Sequence, residues 1–128
     1  MPLSLCGKKH TEMNVEEIRD HCLLKPAVEE CFPFDQNTLV FKVGGKMFLL
    51  LDINSNPIEF NAKCQPHYAL ELREQFHCVK PGFHMNKVHW NTITCDGSAP
   101  KKIIFKWIDD SYNLIVEGLP KKVKDKLK

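Results

Sequence analysis

The sequence predicts an α+β fold, a two-layer sandwich in which helices cover one antiparallel sheet in the order α-β3-α-β2-α. Two β-prone apolar runs flank Gly44-Gly45, and three other segments place apolar residues at helical spacing. These patterns follow one another as helix, three strands, helix, two strands and helix. At 128 residues, the chain is long enough for one domain with its own core and too short for two.

The first helix is predicted to begin after Asn14, a favourable N-cap residue. Glu17 stands three positions later and would complete a capping box with it. Pro26 ends the helix a residue or two before it, because the ring disfavours helical backbone at the preceding position. The apolar stripe of this helix consists of Val15, Ile18 and Cys22. We interpret Ala27 to Pro33 as a connection without secondary structure.

Gly44-Gly45 is the clearest local signal, because a two-residue hairpin turn requires positive φ at both positions. This turn predicts the pairs Val43–Lys46, Phe41–Phe48 and Leu39–Leu50, which would share one face. The other face would carry Val40, Lys42, Met47, Leu49 and Leu51. Both faces are largely apolar, which is typical of a hairpin in the centre of a sheet. Alternation from Ile58 to Lys63 predicts a third, half-exposed strand.

Pro66 suits a first helical position and predicts a second helix that runs to about Phe76. Two short strands are predicted next, at Cys78–Lys80 and at His89–Cys95, and Pro81-Gly82 turns the chain between them.

Ser98 is predicted to cap the last helix, and Gly118 and Pro120 to end it. The apolar stripe of this helix consists of Ile104, Trp107, Ile108, Ser111 and Ile115. Residues 121–128 form a basic tail that we expect to fray.

The chain has six cysteines but no C-x-x-C spacing. Its beginning, MPLSLCGKKHTE, lacks the apolar region of a secretory signal, and no apolar run approaches the length of a membrane span. We therefore expect a cytoplasmic protein with no membrane association, whose cysteines are buried free thiols rather than disulfides or zinc ligands.

The net charge of +2 is distributed unevenly along the chain. Residues 1–60 carry six Lys and Arg against nine Asp and Glu, a balance of −3, whereas residues 61–128 carry twelve against seven, a balance of +5. This difference indicates a basic face built mainly by the second half. Part of the excess lies in the tail lysines, so an ordinary solvated surface explains it equally well.

Three segments carry a family resemblance: FPFDQNTLVFKVGGKMF (32–48), LELREQ (70–75) and PGFHMNKVHWNT (81–92). In this order and spacing they resemble the MmcQ/YjbR family of small bacterial proteins, over residues 13–120. Residues 1–12 then remain an N-terminal extension and 121–128 a C-terminal tail. The resemblance implies a sandwich related to secretion-chaperone-like and frataxin-like folds, and a role in binding DNA through wing-like loops.

The sequence departs from the family pattern at the starts of two helices. Gln65 stands before Pro66, where the family usually has an acidic or small N-cap residue. Lys101 and Lys102 stand in the first turn of the last helix, where the family usually has acids. Two lysines beside the free N–H groups of a helix start would form a good anion site, although exposed lysines are also tolerated there at small cost.

The stretch 79–92 concentrates the remaining candidate functional residues. Its cationic and amide side chains could contact phosphates and bases, and Phe83 and Trp90 could stack on bases or pack in the core. The same polar groups could instead satisfy the backbone of an irregular loop, and we favour the core for Trp90. We predict the nucleic-acid contacts to be Lys80, His84, Asn86, Lys87, His89, Lys101 and Lys102.

The sequence offers no recognisable catalytic or metal-binding motif. No Ser or Cys has a base at catalytic spacing, no glycine-rich loop could hold a phosphate, and no carboxylates are paired in an apolar motif. His84 and His89 are five positions apart, which places them on opposite faces of a strand. We therefore expect no catalysis, no cofactor and no metal.

Three hypotheses follow for the function. The first is a non-enzymatic DNA-binding protein that contacts phosphates through a basic wing-like loop and helix start. The alternative is a small-molecule or protein-binding module with a pocket lined by residues 81–92. The third assigns this stretch a purely structural role, in which replacing Asn86 or His89 lowers the melting temperature without altering any binding.

Overall fold

The computed structural model describes residues 13–83 and 85–127. Their helices are α1 (Val15–Leu23), α2 (Pro66–Gln75), α3 (Lys101–Glu117) and α4 (Lys121–Lys126). Their strands are β1 (Val28–Cys31), β2 (Thr38–Val43), β3 (Lys46–Asp52), β4 (Glu59–Lys63), β5 (Val79–Pro81) and β6 (Trp90–Thr94). None of the helices in these two ranges is long and apolar enough to cross a membrane.

The strands form one antiparallel sheet in the order β1-β2-β3-β4-β6-β5. Helices α1, α2 and α3 pack on one face of this sheet, and the core lies between them and the strands. The predicted α+β two-layer sandwich is therefore confirmed. We call the covered side the helix face; it carries Leu49, Leu51 and Phe60. The opposite side, which we call the groove face, carries Leu50, Asn61 and Thr92.

The local signals of the first helix are confirmed in detail. The Asn14 side chain accepts a hydrogen bond from the Glu17 backbone at 2.8 Å, and the Glu17 carboxylate accepts one from the Asn14 backbone at 3.2 Å. Ile18 and Cys22 are fully buried. Val15, the third residue of the predicted stripe, is half-buried, and the helix ends at Leu23, close to the predicted end. The predicted capping box and the predicted inward face are therefore both present.

The prediction missed strand β1, because residues 28–31 were interpreted as part of a connection. β1 lies at the edge of the sheet, pairs Glu29 with Lys42, and is held to α1 by a two-pronged contact from Arg19 to Glu30 at 2.7 and 2.6 Å. Charged residues are common on edge strands, because they prevent these strands from pairing with other chains. In the sequence, the same charged residues interrupt the apolar alternation by which a strand is recognised.

The prediction was also wrong about the tail. Residues 121–126 form the short helix α4 instead of a frayed end. Its start lies against the β2–β3 turn: a Cβ added to Gly44 would come within 2.6 Å of Leu119 and 2.9 Å of Val123. Gly44 has φ of +59° and Gly45 of +81°, as the predicted turn requires. Contact with this turn is a tertiary interaction that local sequence could not reveal.

The β2–β3 pairing contains a bulge that changes the predicted faces. Val43 pairs with Lys46 as predicted, but Phe41 pairs with Leu49 and Leu39 with Leu51. The register shifts between Phe41 and Lys42, which leaves Phe48 as the additional residue on β3. Phe48 and Leu49 both join the core as a result. Leu50 is moved to the groove face, where it pairs with Val40.

Helix α3 is tied to the bulge by Ser111, which is fully buried. The Ser111 hydroxyl donates to the backbone carbonyl of Phe48 and accepts from the backbone N–H of Lys63 at 2.8 Å. The predicted apolar stripe of α3 is confirmed, since all five of its residues are buried.

The predicted capping of α3 by Ser98 is wrong. The helix begins at Lys101, its N-cap residue is Pro100, and no side chain caps it. The Ser98 hydroxyl instead donates to Asp96 at 2.6 Å. Pro100 has φ of −62°, which already suits the start of a helix. A capping serine two residues earlier is therefore not needed to begin α3.

Candidate functional site

The β5–β6 loop, residues 82–89, contains the stretch that the sequence singles out. Strand β5 pairs with β6 in the register Val79–Ile93 and Pro81–Asn91, so the loop leaves and re-enters the sheet at the same end. The side chains of Asn86, Lys87, Val88 and His89 are exposed. The loop is therefore a projection from the end of a hairpin.

Arg73 of α2 braces this loop from the helix face. Its Nε donates to Asn91 Oδ1 at 2.7 Å, and its Nη2 donates to the carbonyls of Trp90, at 3.2 Å, and of Lys87. Asn91 is 1% exposed and donates in turn to the carbonyl of Ala69 at 3.5 Å. One guanidinium group thus fixes the second half of the loop and the start of β6 relative to α2, and hydrogen bonds from a charged donor are stronger than neutral ones.

Two of the predicted nucleic-acid contacts brace the loop from within. The Asn86 side chain accepts from the Val88 N–H at 2.9 Å, and Lys87 Nζ donates to the Gly82 carbonyl at 2.9 Å. The exposed His89 contributes its backbone carbonyl, which accepts from the Cys64 N–H at 2.8 Å. These contacts favour a structural role for Asn86 and Lys87, one of the alternatives that the sequence left open. His84 lies outside the described residues.

Of the remaining predicted contacts, Lys101 and Lys102 lie far from the loop. Lys80 is exposed on β5, beside the loop, but Lys101 and Lys102 follow the opposite end of β6. Four residue steps along that strand span roughly 13 Å. Lys101 Nζ also donates to Glu17 Oε2 of α1 at 2.8 Å, which leaves Lys102 as the exposed lysine of the helix start. The structure does not bring the predicted set together into one basic surface.

A groove of about 420 Å³ lies on the groove face. Phe34, from the loop before β2, and Phe83, from the β5–β6 loop, line it and are 64% and 66% exposed. Its other apolar lining residues are Met47, Leu50 and Met85, and Phe60, whose buried side chain belongs to the helix face, also borders it. Its polar lining residues are Thr38, Asp52, Glu59, Asn61 and Thr92. The groove thus combines exposed aromatic rings with a small number of polar groups.

Hydrogen bonds fix the polar centre of the groove. Thr92 is the cross-strand neighbour of Asn61, and its hydroxyl donates to Asn61 Oδ1. The same hydroxyl accepts from the backbone N–H of Phe83 at 2.8 Å. Because Thr92 belongs to β6, this contact holds the beginning of the β5–β6 loop over the groove face.

Two carboxylates stand together at one end of the groove. Asp52 and Glu59 are directly opposite on β3 and β4. Asp52 Oδ1 accepts from the Asn54 N–H at 3.0 Å, and Glu59 Oε2 accepts from the Thr94 hydroxyl at 3.1 Å. The groove therefore has an acidic end and an aromatic body.

Asp35 shapes the loop that carries Phe34. Its Oδ1 accepts from the backbone N–H groups of Asn37 and Thr38, both at 2.8 Å. These two hydrogen bonds to the charged form lower the pKa of the Asp35 carboxyl below its usual value of 3.8. The loop is thus closed by a local side-chain-to-backbone turn immediately before β2 begins.

The cysteines of the described residues are free, and four of the five are buried: Cys22, Cys64, Cys78 and Cys95. The prediction of buried free thiols is confirmed for these four, whereas Cys31 is half-buried. Burial raises the pKa of Cys22 and Cys95 to about 12 and that of Cys64 to about 11. These three thiols stay protonated at neutral pH, as expected of side chains that fill a core.

The sequence reasoning missed Phe34, Asp52 and Glu59 as candidate functional residues. Asp52 and Glu59 were interpreted only as polar ends of a strand and of an alternating pattern. The available signal was the polar alternation of β4, which indicates a face not buried in the core. The bulge at Phe48 concealed the matching positions on β3, because the predicted register put Leu50 on the same face as Phe41 and Leu39, which lie in the core.

Known proteins resemble the chain in sequence and in structure. Residues 23–114 match the family model described as YjbR. YbdF of Escherichia coli O157:H7 is 37% identical over 97 residues, which cover 76% of this chain and 80% of that protein. YjbR of E. coli K12 is 33% identical over 108 residues, which cover 84% and 92% respectively. Both are described as uncharacterised proteins.

Two solved structures share the fold. A Deinococcus radiodurans protein described by the domain DUF419 superposes with a TM-score of 0.86 at 36% identity, and the match covers 91% of this chain and 89% of that one. A Pseudomonas syringae protein superposes with a TM-score of 0.69 at 28% identity, over 80% and 98%. From the family match and these relatives, the chain belongs to the YjbR family, to which its motifs were already similar.

Proposed function

We propose that this protein is a non-enzymatic binding module that holds a small ligand in the groove on the groove face. The observation that carries this proposal is a concavity of about 420 Å³ lined by two aromatic rings that are each about two-thirds exposed. Ligand sites are commonly concave, mostly apolar and roughly 300 to 1,000 Å³ in volume, with a few polar groups that orient the ligand. The groove matches this description in size and in composition.

The fixed geometry of the groove supports the same function. Phe83 is held by its backbone contact to Thr92, and Asp35 closes the turn next to Phe34. Arg73 braces the rest of the β5–β6 loop. A site whose loops are already ordered loses less conformational entropy when it binds, so more of the contact energy contributes to affinity.

This geometry changes which residues would form the pocket of the binding module that the sequence raised as the alternative function. It assigned the pocket to residues 81–92, and from that stretch Phe83, Met85 and Thr92 line the groove. Asn86 and Trp90 are not among the lining residues. Most of the lining instead comes from β3, β4 and the loop before β2, so the proposed site belongs to the sheet as much as to the loop.

The test is binding of small aromatic fragments, followed by ¹⁵N–¹H NMR. We expect fragments to shift the amide signals of Leu50, Asn61 and Thr92. Met47→Trp would fill the groove and should abolish these shifts. Leu70→Trp is the matched control, because Leu70 is 56% exposed on α2. Fragments that bind only elsewhere, or equally well to Met47→Trp, would overturn the proposal.

DNA binding is the second candidate function. The observation in its favour is the projecting β5–β6 loop, with Lys87 and His89 exposed and Lys80 beside it on β5. The cationic side chains of such a loop suit contact with a phosphate backbone. Because Lys101 and Lys102 lie at the other end of β6, the loop and the helix start would contact separate phosphates.

Fluorescence anisotropy with a labelled duplex, measured at several salt concentrations, tests this candidate. Each phosphate contact should add about 0.9 to the slope of log affinity against log salt. If the loop is the interface, Lys80→Glu with Lys87→Glu abolishes binding, whereas Lys101→Glu with Lys102→Glu leaves most of it. Absence of binding at low salt, or no effect of the first pair, would rule out this role.

A further inference from the structure

We infer that the ligand of the groove is an organic cation: an ammonium group at the acidic end, attached to an apolar body that lies between the aromatic rings. This inference rests on the proposed ligand-binding function and specifies the chemical class of the ligand.

The first observation is the charge of the groove. Of the described residues that line it, Asp52 and Glu59 are acidic and none is Lys, Arg or His. The whole chain has a net charge of +2, so the described lining of the groove is acidic on a slightly basic protein. A negative cleft with low-dielectric walls attracts cations and disfavours anions.

The second observation is the arrangement of the two carboxylates. Asp52 and Glu59 are directly opposite on neighbouring strands, and like charges in that arrangement are destabilising. Neither takes part in the salt bridges found within residues 13–83 and 85–127. Their hydrogen bonds to Asn54 and Thr94 use one oxygen of each. A bound cation between them would relieve this repulsion.

The third observation is the chemistry of the residues that line the groove, which favours an organic cation over a metal ion as the ligand. Phe34 and Phe83 contribute aromatic rings that are largely exposed, and Met47 and Leu50 contribute apolar side chains. Hard metal ions require several oxygen ligands, and the described residues contain no group of three His, Cys, Asp or Glu side chains suited to hold one. Aromatic rings beside carboxylates suit an alkylammonium group, since the ring quadrupole attracts cations.

Three probes with the same aromatic body and different charge test the inference: 2-phenylethylamine, 2-phenylethanol and 3-phenylpropanoate. We expect the amine to shift the groove amides at concentrations about tenfold lower than the alcohol needs, and the carboxylate to bind weakest. If the alcohol or the carboxylate binds the groove as well as the amine, the ligand class is wrong and the groove remains a binding site. If no probe shifts the groove amides, the proposed function fails with it.

A double variant that removes the charges and keeps the shapes provides the second test. Asp52→Asn with Glu59→Gln retains an oxygen for the Asn54 and Thr94 contacts and should weaken binding of the amine about tenfold. Binding of 2-phenylethanol should not change. Glu71→Gln with Glu74→Gln, both exposed on α2, is the matched control for net charge. Equal weakening in the control, or none in the groove variant, would overturn the inference.

The variant with Asp52→Asn and Glu59→Gln also has an expected effect on stability that can be measured without a ligand. Because it removes repulsion between opposed like charges, its melting temperature should equal or exceed that of the unmodified protein. This measurement confirms folding, so that a loss of amine binding is attributable to the groove charges.

Discussion

The two faces of the sheet are built from the same strands but differ in what they contribute. On the helix face, neighbouring strands contribute Leu49, Leu51 and Phe60, which are buried by α1 and α3. On the groove face, the alternate positions Leu50, Asn61 and Thr92 line an open concavity. The helix face therefore has little freedom to change without loss of stability, whereas the groove face can present chemistry to a ligand. Under the proposed function, the stability of this protein and its ligand binding would depend on opposite faces of one sheet.

The sharpest test of this comparison is a pair of leucines that are adjacent in sequence. Leu49→Ala should lower the free energy of unfolding by about 3 to 5 kcal/mol, because Leu49 is fully buried in the core and its removal leaves a closed cavity. Leu50→Ala should lower it by about 1 to 2 kcal/mol, because the space it leaves joins the open groove. Urea denaturation followed by circular dichroism measures both. Equal losses would mean that the two faces are equally part of the core.

The sequence could predict the features of this fold that depend on neighbouring residues, but not those that depend on residues far apart in the chain. The Asn14–Glu17 capping box and the Gly44-Gly45 turn are local, and both formed as predicted. The bulge at Phe48 is not local: it places both Phe48 and Leu49 in the core, and Ser111, 63 residues away, bonds its carbonyl. A one-residue shift in register moves every following side chain to the other face. The groove was missed for this reason.

The candidate site shows the same division. The polar residues of 81–92 were recognised as a unit, and Arg73, which braces them, lies in the family motif LELREQ. The spacing of the two motifs in the sequence could not reveal that one side chain joins them. Lys101 was assigned to phosphate contact because its neighbours in sequence suggested an anion site, and only the fold places Glu17 beside it.

The second prediction concerns Ser111, the polar group that connects the helix face to the bulge. Ser111→Ala should lower the free energy of unfolding by about 1 to 3 kcal/mol, because the Phe48 carbonyl and the Lys63 N–H would lose their buried partner. Ser98→Ala is the control, since that hydroxyl is exposed, and it should change stability by no more than about 0.5 kcal/mol. A similar, small effect of both substitutions would show that the bulge does not depend on α3.

The third prediction concerns Arg73, which acts from the helix face on a loop that borders the groove. Arg73→Met should lower the free energy of unfolding by about 1 to 2 kcal/mol and increase amide hydrogen exchange in residues 85–90. Asn86→Ala removes one contact within the loop and should have a smaller effect on both measurements. If Asn86→Ala destabilises the protein more than Arg73→Met, the loop is braced from within and the two faces are less closely coupled than the contacts indicate.

The smallest effect is expected at Asp35, an exposed residue next to Phe34 of the groove. Because its folded pKa is lowered, its contribution to stability is present above pH 3.8 and is lost as pH falls through the lower folded value. An NMR titration of the side-chain carboxyl carbon should give a midpoint below 3.8. Asp35→Ala should shift the ring signals of Phe34 and weaken fragment binding in the groove, with little change in melting temperature. A titration midpoint at or above 3.8 would show that the hydrogen bonds to Asn37 and Thr38 do not form. A large drop in melting temperature with unchanged binding would instead assign Asp35 a stabilising role. The expected result would instead show that a side chain on the groove side controls binding almost independently of folding.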